Sequence, residues 1–379
     1  LYYAVPGSPA ARTSILQMPA TTGDQVYISD SGNAVAYFRE SPGGSTTGLY
    51  ILDIPGGVSG RVLAIDSLVQ RGIFNTPDWN SDGSQLTTAL ATDYGMDVFV
   101  VRRDGAGVRN LTEGGAFNFY PTWSPNGQYI LFLSDREQCP SWVPGTPGAC
   151  DPRTTPLPNG GNPHIVDVTT GEIRLISDEW VIDPPQWIND RQIAFATGDV
   201  LMGDPERVLW IADITTGQSR QVRPTGTRGD QLQLVESWSP DGSRVIFQNV
   251  GETTEIIMTD SFGTIIGRTE DLTFARYGMA ASWSPDGSRV AIGGRGGQCP
   301  YGVRLLDNNF AFLAQSNPPP TMCNPLFAPN GQAMAFTGVR TAVDGRVDLY
   351  SANVNGFGTV SLTGDLRGQI MLLGWVGGQ

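Results

Sequence analysis

The sequence predicts an all-β protein made of repeated four-stranded sheets. Three observations predict it. A short turn phrase recurs along the chain, apolar strands follow each copy, and no apolar stretch of useful length has the 3.6-residue period of a helix. The phrase is clearest as Ser282-Trp283-Ser284-Pro285-Asp286-Gly287-Ser288-Arg289-Val290, which repeats letter for letter from Ser237 to Val245. Weaker copies are Trp123-Ser124-Pro125-Asn126-Gly127, Trp79-Asn80-Ser81-Asp82-Gly83 and Phe327-Ala328-Pro329-Asn330-Gly331, and eroded ones follow Ile28 and Trp187.

The chemistry of the phrase is that of a hairpin. Proline presets φ for the first central position of a type I turn, Asp or Asn follows comfortably, and Gly takes the left-handed conformation that closes the turn. The strand after it is apolar on successive residues, as in Tyr129-Ile130-Leu131-Phe132-Leu133. That pattern suits a strand covered on both faces. The Trp before each turn then reads as a core plug between neighbouring sheets, with no ligand needed to explain it.

The third strand of each repeat ends in a carboxylate or amide, as at Asp53, Asp167, Asp213, Asp307 and Asn353. A tight turn such as Thr215-Thr216-Gly217 then leads into a fourth strand. Residues Ile28, Trp79, Trp123, Trp187, Trp238, Trp283 and Phe327 mark seven units, spaced by 51, 44, 64, 51, 45 and 44 residues. Four strands at this spacing predict a β-propeller. Material remains at both ends. Ile370 to Val376 reads as a further first strand with Trp375 in the marker slot, and Leu1 to Val5 and Ser14 to Met18 read as third and fourth strands. Joining tail to head would make an eighth, composite blade and remove free sheet edges. A seven-bladed ring with a spare strand is the alternative. Either way residues 1–379 form a single propeller domain.

Composition agrees with many turns rather than disorder, since apolar runs separate the 48 Gly and 27 Pro. No run approaches a membrane-spanning helix of about 18 apolar residues. The chain begins without a basic and apolar leader, so any export signal is expected to have been removed or not to be included. All 24 basic residues are Arg and the formal charge is −13. The lack of Lys removes Schiff-base and amine-nucleophile chemistry. An acidic chain also disfavours nucleic acid and anionic membrane as partners. The four cysteines Cys139, Cys150, Cys299 and Cys323 fall in two local groups without a Cys-x-x-Cys motif. Disulfides are the expected state, and paired cysteines imply an oxidising compartment and an exported protein.

The Trp-Ser-Pro-Asp-Gly phrase, the third strand ending in Asp and Arg109-Asn110-Leu111-Thr112 closing a unit resemble the TolB-type, WD40-like propeller repeats of bacteria. The resemblance covers nearly all of the chain and implies the propeller fold. The Gly-His and Trp-Asp dipeptides of eukaryotic WD40 repeats are absent. Such repeats occur in periplasmic TolB, in surface proteins and in propellers attached to prolyl peptidases. TolB has six blades behind a separate N-terminal domain, whereas this chain has more repeats and shows no such domain. TolB's own role therefore does not carry over.

Candidate chemistry is sparse. A serine hydrolase needs a Gly-x-Ser-x-Gly elbow, an acid and a His, and no elbow is present. The single His164 stands in the strand slot held elsewhere by Tyr50, Trp210 and Tyr350, so it reads as a repeat-position filler. One His cannot build a multi-histidine metal centre. Asp199, Asp204 and Glu206 are the nearest approach to a calcium set, but no loop pattern holds them together. Asn110-Leu111-Thr112 matches a glycosylation triplet and equally an ordinary strand ending. No catalytic residue, metal or cofactor is predicted.

Loop length is the functional asymmetry. The second-to-third and fourth-to-first connections are long and emerge on one face. The longest runs from Ser134 to Asn162 and holds two of the cysteines; Arg223 to Gln233 and Asn317 to Cys323 belong to the same face. Long braced loops on a rigid scaffold commonly carry binding. An exposed Trp142 is the expected anchor for a protein partner, with Arg136 and Arg153 beside it. The expected function is an exported, periplasmic or cell-surface scaffold for protein–protein contact, including self-association, without direct membrane insertion. The alternatives are a structural subunit of a surface layer, sheath or filament, and a carbohydrate-binding or hydrolytic propeller using its central channel.

Overall fold

The computed structural model describes residues 1–14, 26–39, 41, 46–54, 56–65, 77–198, 207–225, 232–295, 297–316, 321–339, 345–368 and 370–376. Regular structure among them is entirely strand. Two compact units divide the chain: one of Gln17–Asp199 and Leu209–Gln221, the other of Leu1–Leu16, Val200–Val208 and Val222–Gln379.

The first unit holds four sheets of four strands in simple antiparallel order. Their second strands are Ala34–Arg39, Gln85–Ala91, Tyr129–Ser134 and Gln192–Thr197. The second unit holds three more such sheets, whose second strands are Arg244–Val250, Arg289–Gly294 and Ala333–Val339. Its last two sheets are joined by a parallel bridge between Gly294 and Cys323. A Cβ on Gly294 would lie 1.7 Å from the carbonyl oxygen of Gln298, so only glycine permits this approach.

The turn phrase folds as its chemistry requires. Gly287 has φ +67° and its N–H donates to the Ser284 carbonyl at 2.8 Å. The Ser284 hydroxyl donates to Asp286 Oδ1 at 2.6 Å, and the same oxygen accepts from Ser288 N–H at 3.0 Å. The Ser239–Ser243 copy repeats these bonds. In five sheets the third-to-fourth turn is tied to the first-to-second turn of its own sheet, as in Ile54 N–H to Asn33 O, Arg103 N–H to Ser84 O and Val354 N–H to Gln332 O. Both sets of tight turns therefore share one end of each sheet, which leaves the long connections to the other.

The marker Trp residues plug the space between sheets. Trp283 packs among Ile246, Ile256 and Met258 of the preceding sheet. Trp79, Trp187 and Trp283 also donate from Nε1, each at 3.1 Å, to the carbonyl just before the preceding marker (Tyr27, Thr122 and Ser237). A second repeated feature pairs an aromatic on the second strand with one on the third. Tyr37 stacks on Tyr50, Phe132 on His164, Phe195 on Trp210 and Phe336 on Tyr350. His164 fills that slot as the sequence predicts.

The ends differ in detail from expectation. Tyr2–Val5 is a strand, but its partner is Ser8–Ser14, starting directly after Pro6-Gly7, so Ser14 ends the strand rather than beginning it. Ile15 to Met18 lie outside the described residues. Ile370–Val376 forms no ladder. Trp375 nevertheless donates from Nε1 to Leu326 O at 3.3 Å, the carbonyl just before the Phe327 marker.

Candidate functional site

The longest connection leaves the strand Tyr129–Ser134 and returns at Asn162. Its base is organised by Asp135. The backbone carbonyl of Asp135 accepts from Gln138 and Cys139 N–H, which turns the chain over. Its carboxylate accepts from Phe117 N–H through Oδ1 and from the Trp142 indole through Oδ2, both at 2.8 Å. Burial pushes this carboxyl upward, against the opposing pull of those two donors. The loop is then closed by the disulfide Cys139–Cys150 and by Cys150 N–H to Ser141 O. It is docked onto the neighbouring connection by Ser141 Oγ to Gly114 O at 3.0 Å and Trp142 N–H to Gly115 O at 2.8 Å. Gly115 has φ +79°, and a Cβ there would meet Val143 at 2.5 Å.

Trp142 is a correction. Expected as an exposed anchor, it is 5% exposed and lies edge-on to Phe117 with ring centres 5.7 Å apart. The reason is Asp135, which gives the indole N–H an internal acceptor and draws the ring under the loop. Arg136 also turns inward, with Nε to Ser134 Oγ and Nη2 to Asn118 Oδ1, both at 2.9 Å, and its guanidinium over Phe132. Burial lowers its pKa. Arg153 stays on the surface, paired bidentately with Asp151. What the loop presents outward is its tip, Pro144–Gly148, and the strap Pro152–Asn159, on which Leu157 is 64% exposed. Asp135 was not legible beforehand, because nothing in its neighbours marks a carboxylate that will sit beneath an indole.

The second disulfide, Cys299–Cys323, ties the sixth sheet's long connection to the first strand of the seventh sheet. The Asn317 to Pro320 segment before it lies outside the described residues, as do residues 226–231 of the Arg223 to Gln233 connection.

The remaining candidates have structural partners. His164 is buried, with Nδ1 2.9 Å from Asn162 O and Nε2 3.3 Å from Glu137 Oε1. Desolvation lowers its pKa, with Arg136 acting in the same direction. The Asn110 amide donates to Asp97 Oδ2, and Thr112 Oγ1 accepts from Val98 N–H, so the glycosylation-like triplet serves as a strand ending. Asp199, Asp204 and Glu206 lie outside the described residues. Among the described residues no three His, Cys, Asp or Glu side chains gather as metal ligands would, and no helix is long and apolar enough to cross a membrane.

No family model matches the chain. A protein TolB homolog of Chlorobium luteolum is 32% identical over 72 residues, which is 19% of this chain and 16% of that protein. Among solved structures, dipeptidyl peptidase 4 of Porphyromonas gingivalis superposes with TM-score 0.57 at 10% identity, over 90% of this chain and 53% of that one. A structure from a study of two prolyl endopeptidases gives TM-score 0.52 at 12% identity, over 90% of this chain and 49% of that one. These likenesses speak for the fold alone. The turn phrase, the repeated four-stranded sheets and the TolB stretch together make the chain similar to TolB-like β-propeller proteins.

Proposed function

We propose that the protein is an exported, non-enzymatic scaffold for protein–protein contact that works through the braced loop. One observation carries the reading: the loop satisfies its own interior with Asp135, Trp142 and the Cys139–Cys150 bridge, yet holds Leu157 and its proline-rich strap outward. A preorganised surface loses little entropy when it meets a partner. Two closed disulfides favour an oxidising compartment such as the periplasm or cell exterior. The sole His is buried in a strand pair, which weighs against the hydrolytic alternative. Affinity isolation from the native envelope tests the reading. Leu157→Asp is expected to lose the partner by about tenfold or more, as an exposed hot spot does, with an unchanged melting temperature. Full recovery of every partner by that variant would end the loop assignment.

The blade count we propose is eight. The step from Trp375 to Leu326 repeats the step from Trp283 to Ser237, which supports reading the tail as an eighth first strand. The head hairpin is bonded to the seventh sheet and the turn after it, which supports reading it as a third and fourth strand. Gly7 N–H donates to Ser351 Oγ, and Arg12 pairs with Asp365 and Leu362 O. On this reading Trp375→Ala unseats a blade and costs about 2 kcal/mol, the value for a partly buried aromatic. A spare strand outside the ring would tolerate the change, and urea denaturation distinguishes the two.

A further inference from the structure

We infer that the long-connection end of the four-sheet unit docks a cationic, apolar-bearing segment of a partner protein. This deepens the scaffold reading and rests on it. Four connections there form one hydrogen-bonded surface. Met96 N–H to Ala116 O ties the Thr92–Gly95 turn to residues 113–117. Ser141 and Trp142 tie those residues to the braced loop. The loop's end is bound to the following connection by Gly161 and Val181, which exchange N–H and carbonyl, and by Asn162 Nδ2 to Glu179 O at 3.1 Å.

Two apolar side chains stand out from this surface, Tyr94 at 48% and Leu157 at 64% exposure. Apart from the Arg153–Asp151 pair on the strap, the exposed charge on these connections is negative. Asp93, Glu113 and Asp178 are exposed, and the Glu137 side chain is 46% exposed beside His164. Glu179 is pushed upward by burial and by neighbouring Asp178, so the carboxylates there already repel one another. The arginines of the loop do not offset them: Arg136 is turned into the fold and Arg153 is held by Asp151. Apolar knobs in a negative field complement Lys or Arg set beside apolar side chains, and a polyanion would be repelled.

Titration calorimetry with a short synthetic peptide alternating Arg and Leu tests this, against a Glu-Leu peptide of equal length. Binding of the Arg-Leu peptide is expected to weaken in high salt, and Glu113→Gln with Asp178→Asn to weaken it about tenfold. Leu157→Ser is expected to weaken it about fivefold. The control pair Glu172→Gln with Asp190→Asn removes the same charge from the tight-turn end and is expected to change nothing. If the control pair costs as much as the surface pair, or Leu157→Ser costs nothing, the peptide is reading the chain's overall charge and the inference fails. The scaffold reading survives that failure if Leu157→Asp still loses the envelope partner. If the partner is kept, the scaffold reading itself falls.

Discussion

Trp283→Ala is expected to cost about 3–5 kcal/mol, the range for emptying a buried aromatic site. That is a large share of the 5–15 kcal/mol that holds a typical folded protein. The indole is 8% exposed and fills the space between two sheets, touching the cluster of Ile246, Ile256, Met258, Leu272 and Met279. Both neighbours are pleated sheets with their own ladders, so neither can collapse into the void. Trp283→Phe keeps most of the apolar contact and removes only the Nε1 bond to Ser237 O, for which about 1 kcal/mol is expected. Val58→Ala, at an exposed turn, is the control and should lie within about 0.5 kcal/mol of the parent. Urea denaturation followed by tryptophan fluorescence measures all three. A Trp283→Ala value close to that of Val58→Ala would mean that the repeated aromatic is not a structural plug.

The architecture was legible because each device in it is local. Pro, Asp and Gly fix the turn within five residues, and Ser284 and Asp286 bond only to neighbours in the phrase. The slot filled by His164 was readable from repeat alignment alone. The first-strand bulge was not. Tyr120, Val235 and Asn324 stand three residues before their markers and share positive φ of 52°, 55° and 47°. A tyrosine, a valine and an asparagine have no chemistry in common, so the strain is imposed by the sheet register.

The candidate site was half legible. Loop length, cysteines and prolines marked a stretch that is cross-linked and internally bonded, since they report chain stiffness and cross-linking. The anchor was misjudged because burial of Trp142 depends on contacts with residues separated from it in sequence and undetermined by loop composition. Asp135 accepts its N–H from below, and Phe117 of the adjoining connection meets its edge. The outward residue is Leu157, which stands between Pro156 and Pro158 on the exposed strap.

Stability is expected to rise as pH falls from about 7 to about 4, through Asp78. This partly buried carboxylate lies between two sheets and accepts from Trp123 N–H at 2.7 Å and Thr122 Oγ1 at 2.8 Å. Desolvation, opposed by those donors and assisted by the charge of Asp30, raises it from 3.8 to about 6. The folded state therefore binds the proton more tightly than the unfolded chain between those values. Stability from this group is fullest below the unfolded value and is lost as pH rises through 6. The shift corresponds to at most about 3 kcal/mol. Asp286 works the other way: the Ser284 hydroxyl and then Ser288 N–H hold it at about 2, so its contribution is full above 3.8 and lost as pH falls through 2. The two together place the optimum near pH 4, by this linkage roughly. Asp78→Asn keeps an acceptor oxygen for Trp123 and Thr122 but cannot ionise. It is expected to exceed the parent in melting temperature at pH 7 and to match it at pH 4. Equal melting temperatures at both values would show that the carboxylate reaches water and that its burial between the sheets carries no cost.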